Sequence, residues 1–197
     1  MSIAEPLVPR LAAVPVRPAA VLFDRDDTLI VDIPYLADPT LVRPVPGARE
    51  QLRRLRSAGI RTGVVSNQSG VASGLITPAQ LAAVNARVEA LLGPFDTWQI
   101  CVHASADSCG CRKPEPGLIL AAAETLAIEP ARCVVIGDIG SDIEAALAAG
   151  AAAILVPTPR TRPAEIAHAE RMAAVASDLT AAVTLALTGV RKEEGPS

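Results

Sequence analysis

The segment Val21-Leu22-Phe23-Asp24-Arg25-Asp26-Asp27-Thr28 limits the possible folds more than any other. An apolar run led by Ala19 and Ala20 stops abruptly at a group of carboxylates. Such a run reads as a strand buried on both faces, the kind found in parallel sheets. A buried strand cannot hold charges along its length, so the acids sit at its carboxyl end. In open α/β sheets that end is where ligands bind. Asp24 and Asp26 are two apart, which in an extended backbone turns both side chains to one side. Crowded carboxylates raise one another's pKa unless a cation lies between them. The pair therefore asks for a metal, and oxygen donors favour magnesium.

The remaining chain repeats the theme. Apolar runs at 60–67, 98–102, 134–136 and 152–156 read as four more strands. Helices are expected between and after them. The first covers 46–58, with Leu52 and Leu55 inward, Gly59 as its stop, and Arg49, Arg53, Arg54 and Arg56 as a solvated face. The second starts at Thr77-Pro78, an N-cap followed by proline at the first helical position. It runs to about Leu92 and turns Leu81, Val84, Val88 and Leu91 to one face. Others are expected at 116–127, from Ser141 or Asp142 to Gly150, at 163–174 and at 178–188, the last capped by Ser177. Strands alternating with helices predict an α/β fold: a doubly wound parallel sheet with helices on both faces. The long connection at 29–46, rich in proline, leaves the carboxyl end of the first strand and can overhang a site there.

With 197 residues the chain favours one domain, read as 19–190 between a proline-rich arm at 1–18 and a tail at 191–197. Half the residues are hydrophobic but only four are aromatic, so the core is built from Ala, Val, Leu and Ile. A net charge of −3 without a basic run argues against nucleic acid. No apolar run approaches the roughly 18 residues of a membrane span, and prolines interrupt any signal-like start. A cytoplasmic monomer with no membrane or nucleic-acid partner is the expectation.

Polar residues at the strand ends form one inventory: Asp24 and Asp26, Ser66, Lys113 on a loop, Asp138 and Asp142. Acid pairs, a hydroxyl and an ammonium on one sheet edge suit phosphoryl transfer. There is no Gly-x-x-x-x-Gly-Lys-Ser/Thr loop and no Gly-x-Ser-x-Gly elbow, and neither histidine stands out as a serine-hydrolase base. A carboxylate nucleophile is left as the expectation. Separately, Cys101, His103, Cys109 and Cys111 form a Cys₃His set within eleven residues. Four protein ligands leave no open position, which reads as structural zinc. It would staple the loop that presents Arg112 and Lys113. Cys133 reads as a small buried residue and His168 as solvent-facing.

Asp24-Arg25-Asp26-Asp27-Thr28, Ser66-Asn67, Lys113-Pro114 and Gly137-Asp138 with Asp142 resemble, in order and spacing, the four-motif signature of the haloacid dehalogenase (HAD) superfamily. Ser66-Asn67-Gln68-Ser69-Gly70-Val71-Ala72, the Cys/His cluster and Cys111-Arg112-Lys113-Pro114 narrow the resemblance to one subfamily. That subfamily contains heptose bisphosphate and histidinol-phosphate phosphatases. The resemblance implies a magnesium-dependent hydrolase without a large cap domain. In it Asp24 attacks phosphorus and Asp26 is the general acid and base. Ser66 and Lys113 grip the phosphoryl group, and Asn67 and Arg112 meet the substrate. Magnesium is held by the carboxylates of Asp24 and Asp138 and the backbone carbonyl of Asp26, with Thr28 and Asp142 in support. The family often has Gly where Asp27 stands, Arg where Ser73 stands, and Gly in place of Pro34 before Tyr35.

The expected activity is removal of the 7-phosphate of D-glycero-D-manno-heptose 1,7-bisphosphate through an aspartyl-phosphate, within heptose biosynthesis. The alternatives are a phosphatase of histidinol phosphate or another small phosphometabolite, and a catalytically silent binding protein on the same fold.

Overall fold

The computed structural model describes residues 17–188, so the expected arm at 1–18 and tail at 191–197 lie almost wholly outside the described residues. Six strands form one sheet: β1 Ala20–Phe23, β2 Arg61–Asn67, β3 Thr97–Cys101, β4 Cys133–Gly137, β5 Ala152–Leu155 and β6 Ala174–Val175. Their order is β3-β2-β1-β4-β5-β6 and every pairing is parallel. The chain winds outward from β1 to β3 on one side, then returns to β4 and winds outward on the other. The crevice outside β1 and β4 is therefore the point where the winding reverses, the place an open α/β sheet offers a ligand.

Six helices cover the sheet: α1 Ala48–Ser57, α2 Pro78–Leu92, α3 Gly117–Leu126, α4 Gly140–Ala148, α5 Pro163–Met172 and α6 Leu179–Thr188. The pleat of β1 divides the core in two. Val21 and Phe23 pack with Leu52 and Leu55 of α1, Val84 and Val88 of α2 and Val183 of α6. Ala20 and Leu22 face the other way, toward Ile119 of α3, Ile143 of α4 and Ala169 of α5. All four β1 residues have no exposed surface, as a strand covered on both faces requires.

Thr77 caps α2 reciprocally. Its hydroxyl accepts from the Gln80 amide at 3.2 Å and its own amide donates to Gln80 Oε1 at 2.8 Å. Several local expectations are corrected. Leu92 is the buried end of the α2 stripe after Leu81, Val84 and Val88, while Leu91, at i+3 from Val88, packs partly buried against the same core. Asp178 rather than Ser177 caps α6, accepting from the Ala181 amide at 2.8 Å. The helix expected at 163–174 ends at Met172, and the sixth strand follows at once. The arginine face of α1 is not simply solvated. Arg53 pairs with Glu50 on the surface, but Arg49 Nε and Arg56 Nη2 donate to the Leu91 and Leu92 carbonyls at 2.7 and 2.9 Å. These are carbonyls that the end of a helix leaves without internal partners.

Leu22→Ala should cost about 2–5 kcal/mol, the range for emptying a buried leucine site. Urea denaturation should move its midpoint down with an unchanged slope. A shift no larger than that of a surface substitution would contradict the packing of this face.

Candidate active site

Lys113 is the hub of the crevice. Its ammonium donates to Asp24 Oδ1 at 2.6 Å, Asp142 Oδ1 at 2.5 Å and the Val65 carbonyl at 2.9 Å. All three protons are thereby used, and the residue is only 4 % exposed. Its backbone is gripped as firmly. Asn67 Nδ2 donates to the Lys113 carbonyl and the Lys113 amide donates to Asn67 Oδ1, both at 3.0 Å. Asp142 lies in the first turn of α4, and its Oδ2 accepts from the Asp138 and Ile139 amides at 3.2 Å. That approach leaves no room for a side chain at residue 137, where a Cβ would overlap the Asp142 carboxylate, so glycine is required.

Asp24 and Asp138 stand just beyond β1 and β4, on neighbouring strands, and line one cavity of about 300 Å³ with Asp26, Asn67, Lys113 and Asp142. Thr28 Oγ1 donates to Asp138 Oδ1 at 3.5 Å, and Thr161 Oγ1 donates to the Asp138 carbonyl at 2.7 Å. Burial lifts the Asp24 carboxyl to about 7; Lys113 opposes that, while Asp142 and Asp26 add to it. Burial lifts Asp138 to about 8, with Asp24, Asp142 and Asp27 pushing the same way. Burial alone would lower the Lys113 pKa, but the Asp142 and Asp24 carboxylates outweigh it and hold the amine charged.

Six aspartates line the cavity; Asp26 pairs with Arg25, and Asp27 and Asp32 with Arg160, which leaves Asp24, Asp138 and Asp142 against the one ammonium of Lys113. Ionising all three leaves a charge of two minus in a buried cavity, which a divalent cation would neutralise. Carboxylate oxygens are hard donors, so the set fits magnesium.

The structure distributes the other expected residues unevenly. Ser66 is buried behind Gln68, whose Nε2 donates to its hydroxyl at 2.9 Å, and it does not line the cavity wall. Asn67 is engaged with Lys113, so it positions that residue. Arg112 lines a second cavity of about 920 Å³ that shares Asn67, Lys113, Ile139 and Ser141 with the first.

Residues that the sequence reading passed over include Arg25, Gln68 and Arg160. Arg160 reaches in from the loop after β5 and pairs with Asp27, at 3.4 Å, and with Asp32. The edge rule that singled out the ends of β1 and β4 would have found it had it been applied to β5. Asp27 has a left-handed φ of +55°, which Asp tolerates better than most residues. Its Oδ1 accepts from the Asp32 amide at 3.0 Å.

Next to the crevice, Cys101, His103, Cys109 and Cys111 bring one ligand atom each to within 4.8 Å of one another. The sulfur pairs are 3.1–3.7 Å apart, and His103 Nδ1 lies 3.5 and 3.3 Å from the Cys101 and Cys111 sulfurs. Tetrahedral zinc at its usual bond lengths sets such pairs about 3.6–3.8 Å apart. The separations are too long for disulfides, and all three thiols are free. Burial raises the Cys109 thiol, but the Arg112 amide and the Cys111 thiol and amide draw it down to about 7. Burial and its two thiol neighbours push Cys111 to about 12. Cys133 is buried apart from the cluster, and His168 is half-buried rather than solvent-facing, because α5 turns it toward the edge of its packed side.

The model of the HAD-hydrolase-like family matches residues 110–182. A D-glycero-beta-D-manno-heptose-1,7-bisphosphate 7-phosphatase of Pseudomonas putida is 37% identical over 142 residues, covering 70% of this chain and 81% of that protein. The enzyme of the same name from Rhodopseudomonas palustris is 36% identical over 150 residues, covering 71% and 83%. Among solved structures, the D,D-heptose 1,7-bisphosphate phosphatase of B. bronchiseptica, complexed with magnesium and phosphate, superposes with a TM-score of 0.75. It is 29% identical and covers 85% of this chain and 98% of that one.

Both raised carboxyls hold protons in the folded, metal-free protein that the unfolded chain, titrating near 3.8, has released. Their contribution to stability is full below about pH 4 and is lost as pH rises through about 7 and 8. Magnesium should reverse the trend, because it binds the charged carboxylates. Its addition should raise the thermal midpoint more at about pH 8.5 than at about pH 6; an equal rise would contradict the donor set. Cys109→Ser should lose zinc by elemental analysis and should lose hydrogen-exchange protection across 101–113. Unchanged metal content would remove the cluster as a zinc site.

Proposed function

This chain belongs to the HAD-like hydrolase family, and we propose that within it the protein is a magnesium-dependent phosphatase that removes the 7-phosphate of D-glycero-D-manno-heptose 1,7-bisphosphate. The observation that carries the reading is the placement of Asp24. It is a buried carboxylate at the reversal point of the sheet, held 2.6 Å from a lysine that stays charged. The heptose substrate is supported by the names of the relatives and by the wide cavity beside the reacting centre.

In this reading the phosphoryl group enters the cavity beside Asp24 and Lys113. One Asp24 oxygen attacks phosphorus in line with the sugar oxygen, and the phosphorus–oxygen bond to the sugar breaks. Asp26 gives its proton to the departing oxygen and then takes a proton from the water that hydrolyses the aspartyl-phosphate. Lys113 offers its charge to the phosphoryl oxygens while keeping Asp24 oriented. The carboxylates of Asp24 and Asp138 and the carbonyl of Asp26 would hold magnesium, which supplies charge neutralisation of the phosphate. Asp142 and Thr28 keep Lys113 and Asp138 in place. Ser66 acts through Gln68, whose amide donates both to its hydroxyl and to Asp26. Arg112 faces the cavity where the body of the sugar would lie.

We assign the protein to the cytoplasm as a monomer working on a diffusible sugar phosphate, with neither a nucleic acid nor a membrane as partner. The net charge of −3 supports the part of that assignment that concerns nucleic acid. Among the described residues no helix is long and apolar enough to cross a membrane.

Phosphate release with magnesium should be measured on both anomers of heptose 1,7-bisphosphate, histidinol phosphate and fructose 1,6-bisphosphate. One heptose anomer should be preferred by at least about 10-fold in kcat/KM, and Asp24→Asn should remove turnover without unfolding the chain. Preference for histidinol phosphate would transfer the assignment to that substrate. Near-normal activity of Asp24→Asn would sink the nucleophile.

A further inference from the structure

Among the described residues Arg25 is the largest fully buried side chain, and it has no part in the chemistry just described. It lies between the two acids of the motif and is 1 % exposed. A buried guanidinium is costly to desolvate, and a hydrophobic side chain of similar size is often the more stable occupant of such a site. Packing alone therefore does not account for it.

Its contacts do. Arg25 Nε donates to Asp26 Oδ1 at 3.2 Å and Nη2 donates to Asp26 Oδ2 at 3.1 Å, a two-pronged grip on the neighbouring carboxylate. Nη1 donates to Asn85 Oδ1 of α2 at 2.7 Å, which braces the guanidinium from the far side. Gln68 Nε2 adds a bond to Asp26 Oδ2 at 2.7 Å. A carboxylate has about four acceptor sites, two on each oxygen. Oδ2 has both filled, by Arg25 and Gln68. Oδ1 has one filled, by Arg25. One site on Oδ1 is left over. Asp26 also stands in the wall between the reacting cavity and a smaller one of about 130 Å³ that Arg25 and Gln68 line. The three donors sit on the side of the smaller cavity.

We propose that Arg25, braced by Asn85, is a positioning residue that fixes the plane of the Asp26 carboxylate and leaves Oδ1 as the one oxygen able to carry the transferred proton. The inference rests on the phosphatase reading and deepens it. An acid held in this way donates to the leaving oxygen along one direction. A loosened acid turns within its cavity and delivers the proton poorly, although the nucleophile, the lysine and the metal ligands are untouched.

The step that needs Asp26 as an acid can be separated from the step that does not. An alkyl phosphate loses an alkoxide, which must take a proton from Asp26 as its bond to phosphorus breaks. p-Nitrophenyl phosphate loses a stable phenolate that leaves unprotonated. Hydrolysis of the aspartyl-phosphate needs Asp26 as a base in both cases. Asn85→Ala and Arg25→Lys should therefore be compared with the unmodified, metal-loaded protein in stopped flow. Turnover of the sugar phosphate should fall by about 10-fold in Asn85→Ala, a partial loss, and by about 10²-fold in Arg25→Lys, the lower end of what general acid catalysis supplies. The first-turnover release of p-nitrophenolate should stay within about 3-fold of normal in Asn85→Ala. It should appear as a burst of one equivalent per enzyme, followed by slow turnover. KM for the sugar phosphate should change little. An equal loss in the first turnover of both substrates in Asn85→Ala, or no loss in either, would overturn the proposal. If the unmodified protein released phosphate from neither substrate, the phosphatase reading itself would fall, and this inference with it.

Discussion

The three-way contact of the Lys113 ammonium holds the site together. One charged group joins the end of β1 through Asp24, the backbone of β2 through Val65 and the first turn of α4 through Asp142. None of these elements is near Lys113 in sequence. Each acid is buried, and removing the ammonium would leave uncompensated charge, a loss worth several kcal/mol for a buried pair. The local geometry follows from this demand. Asn67 clamps the lysine backbone, Gly137 has no side chain so that Asp142 can approach, and the Asp138 and Ile139 amides turn toward that same carboxylate. The loop between β3 and α3 is thus fixed at two points, by the lysine at its end and by the Cys₃His set before it. A metal in that set would stiffen the approach of Lys113 without touching the reacting centre.

What the sequence makes legible is whatever depends on burial along a strand or on a cap. The apolar run before Asp24, the Thr77-Pro78 helix start and the Gly-Asp after Ile136 each encode their structure locally, and the doubly wound sheet follows from their alternation. The sixth strand does not announce itself. Ala174 and Val175 are two half-buried residues straight after a helix, and they pair with β5 only because the chain returns along the sheet edge. Period and propensity carry no trace of that. The same limit applies to α1, where the arginines gain partners from the end of a helix that packs beside it.

Within the site, the acids and the lysine were legible because charge after an apolar run is improbable without a purpose. Arg25 was not, because the strand alternation that puts Asp24 and Asp26 on one side sends the residue between them to the other. There it meets Asn85, a position that in the sequence is one more polar residue on an amphipathic helix. From there the guanidinium reaches back to the Asp26 carboxylate with Nε and Nη2, and the left-handed turn at Asp27 then carries the chain away into the loop. That turn also resolves the departure at residue 27, where relatives of this kind often have glycine. The extra carboxylate closes the loop onto the Asp32 amide and pairs with Arg160, so its charge is met by a cation that comes from the far side of the sheet.

The site therefore keeps three cations apart, each with its own acids. Lys113 serves Asp24 and Asp142, Arg25 serves Asp26, and Arg160 serves Asp27 and Asp32. Merging any two would leave one carboxylate free to compete for the metal or another free to take the wrong proton. Distance alone does not separate groups inside a cavity of about 300 Å³, since charges a few ångströms apart in a poorly screened interior interact strongly. Fixed pairing does separate them. Lys113 and Arg25 are almost fully buried, while Arg160 is half-exposed at the mouth. The two interior pairs are locked by hydrogen bonds from different strands and helices, and the outer pair lies where an incoming anion would meet it first. The proposed nucleophile, the proposed acid and the rim can then differ in chemistry although all three are aspartates drawn from one stretch of chain.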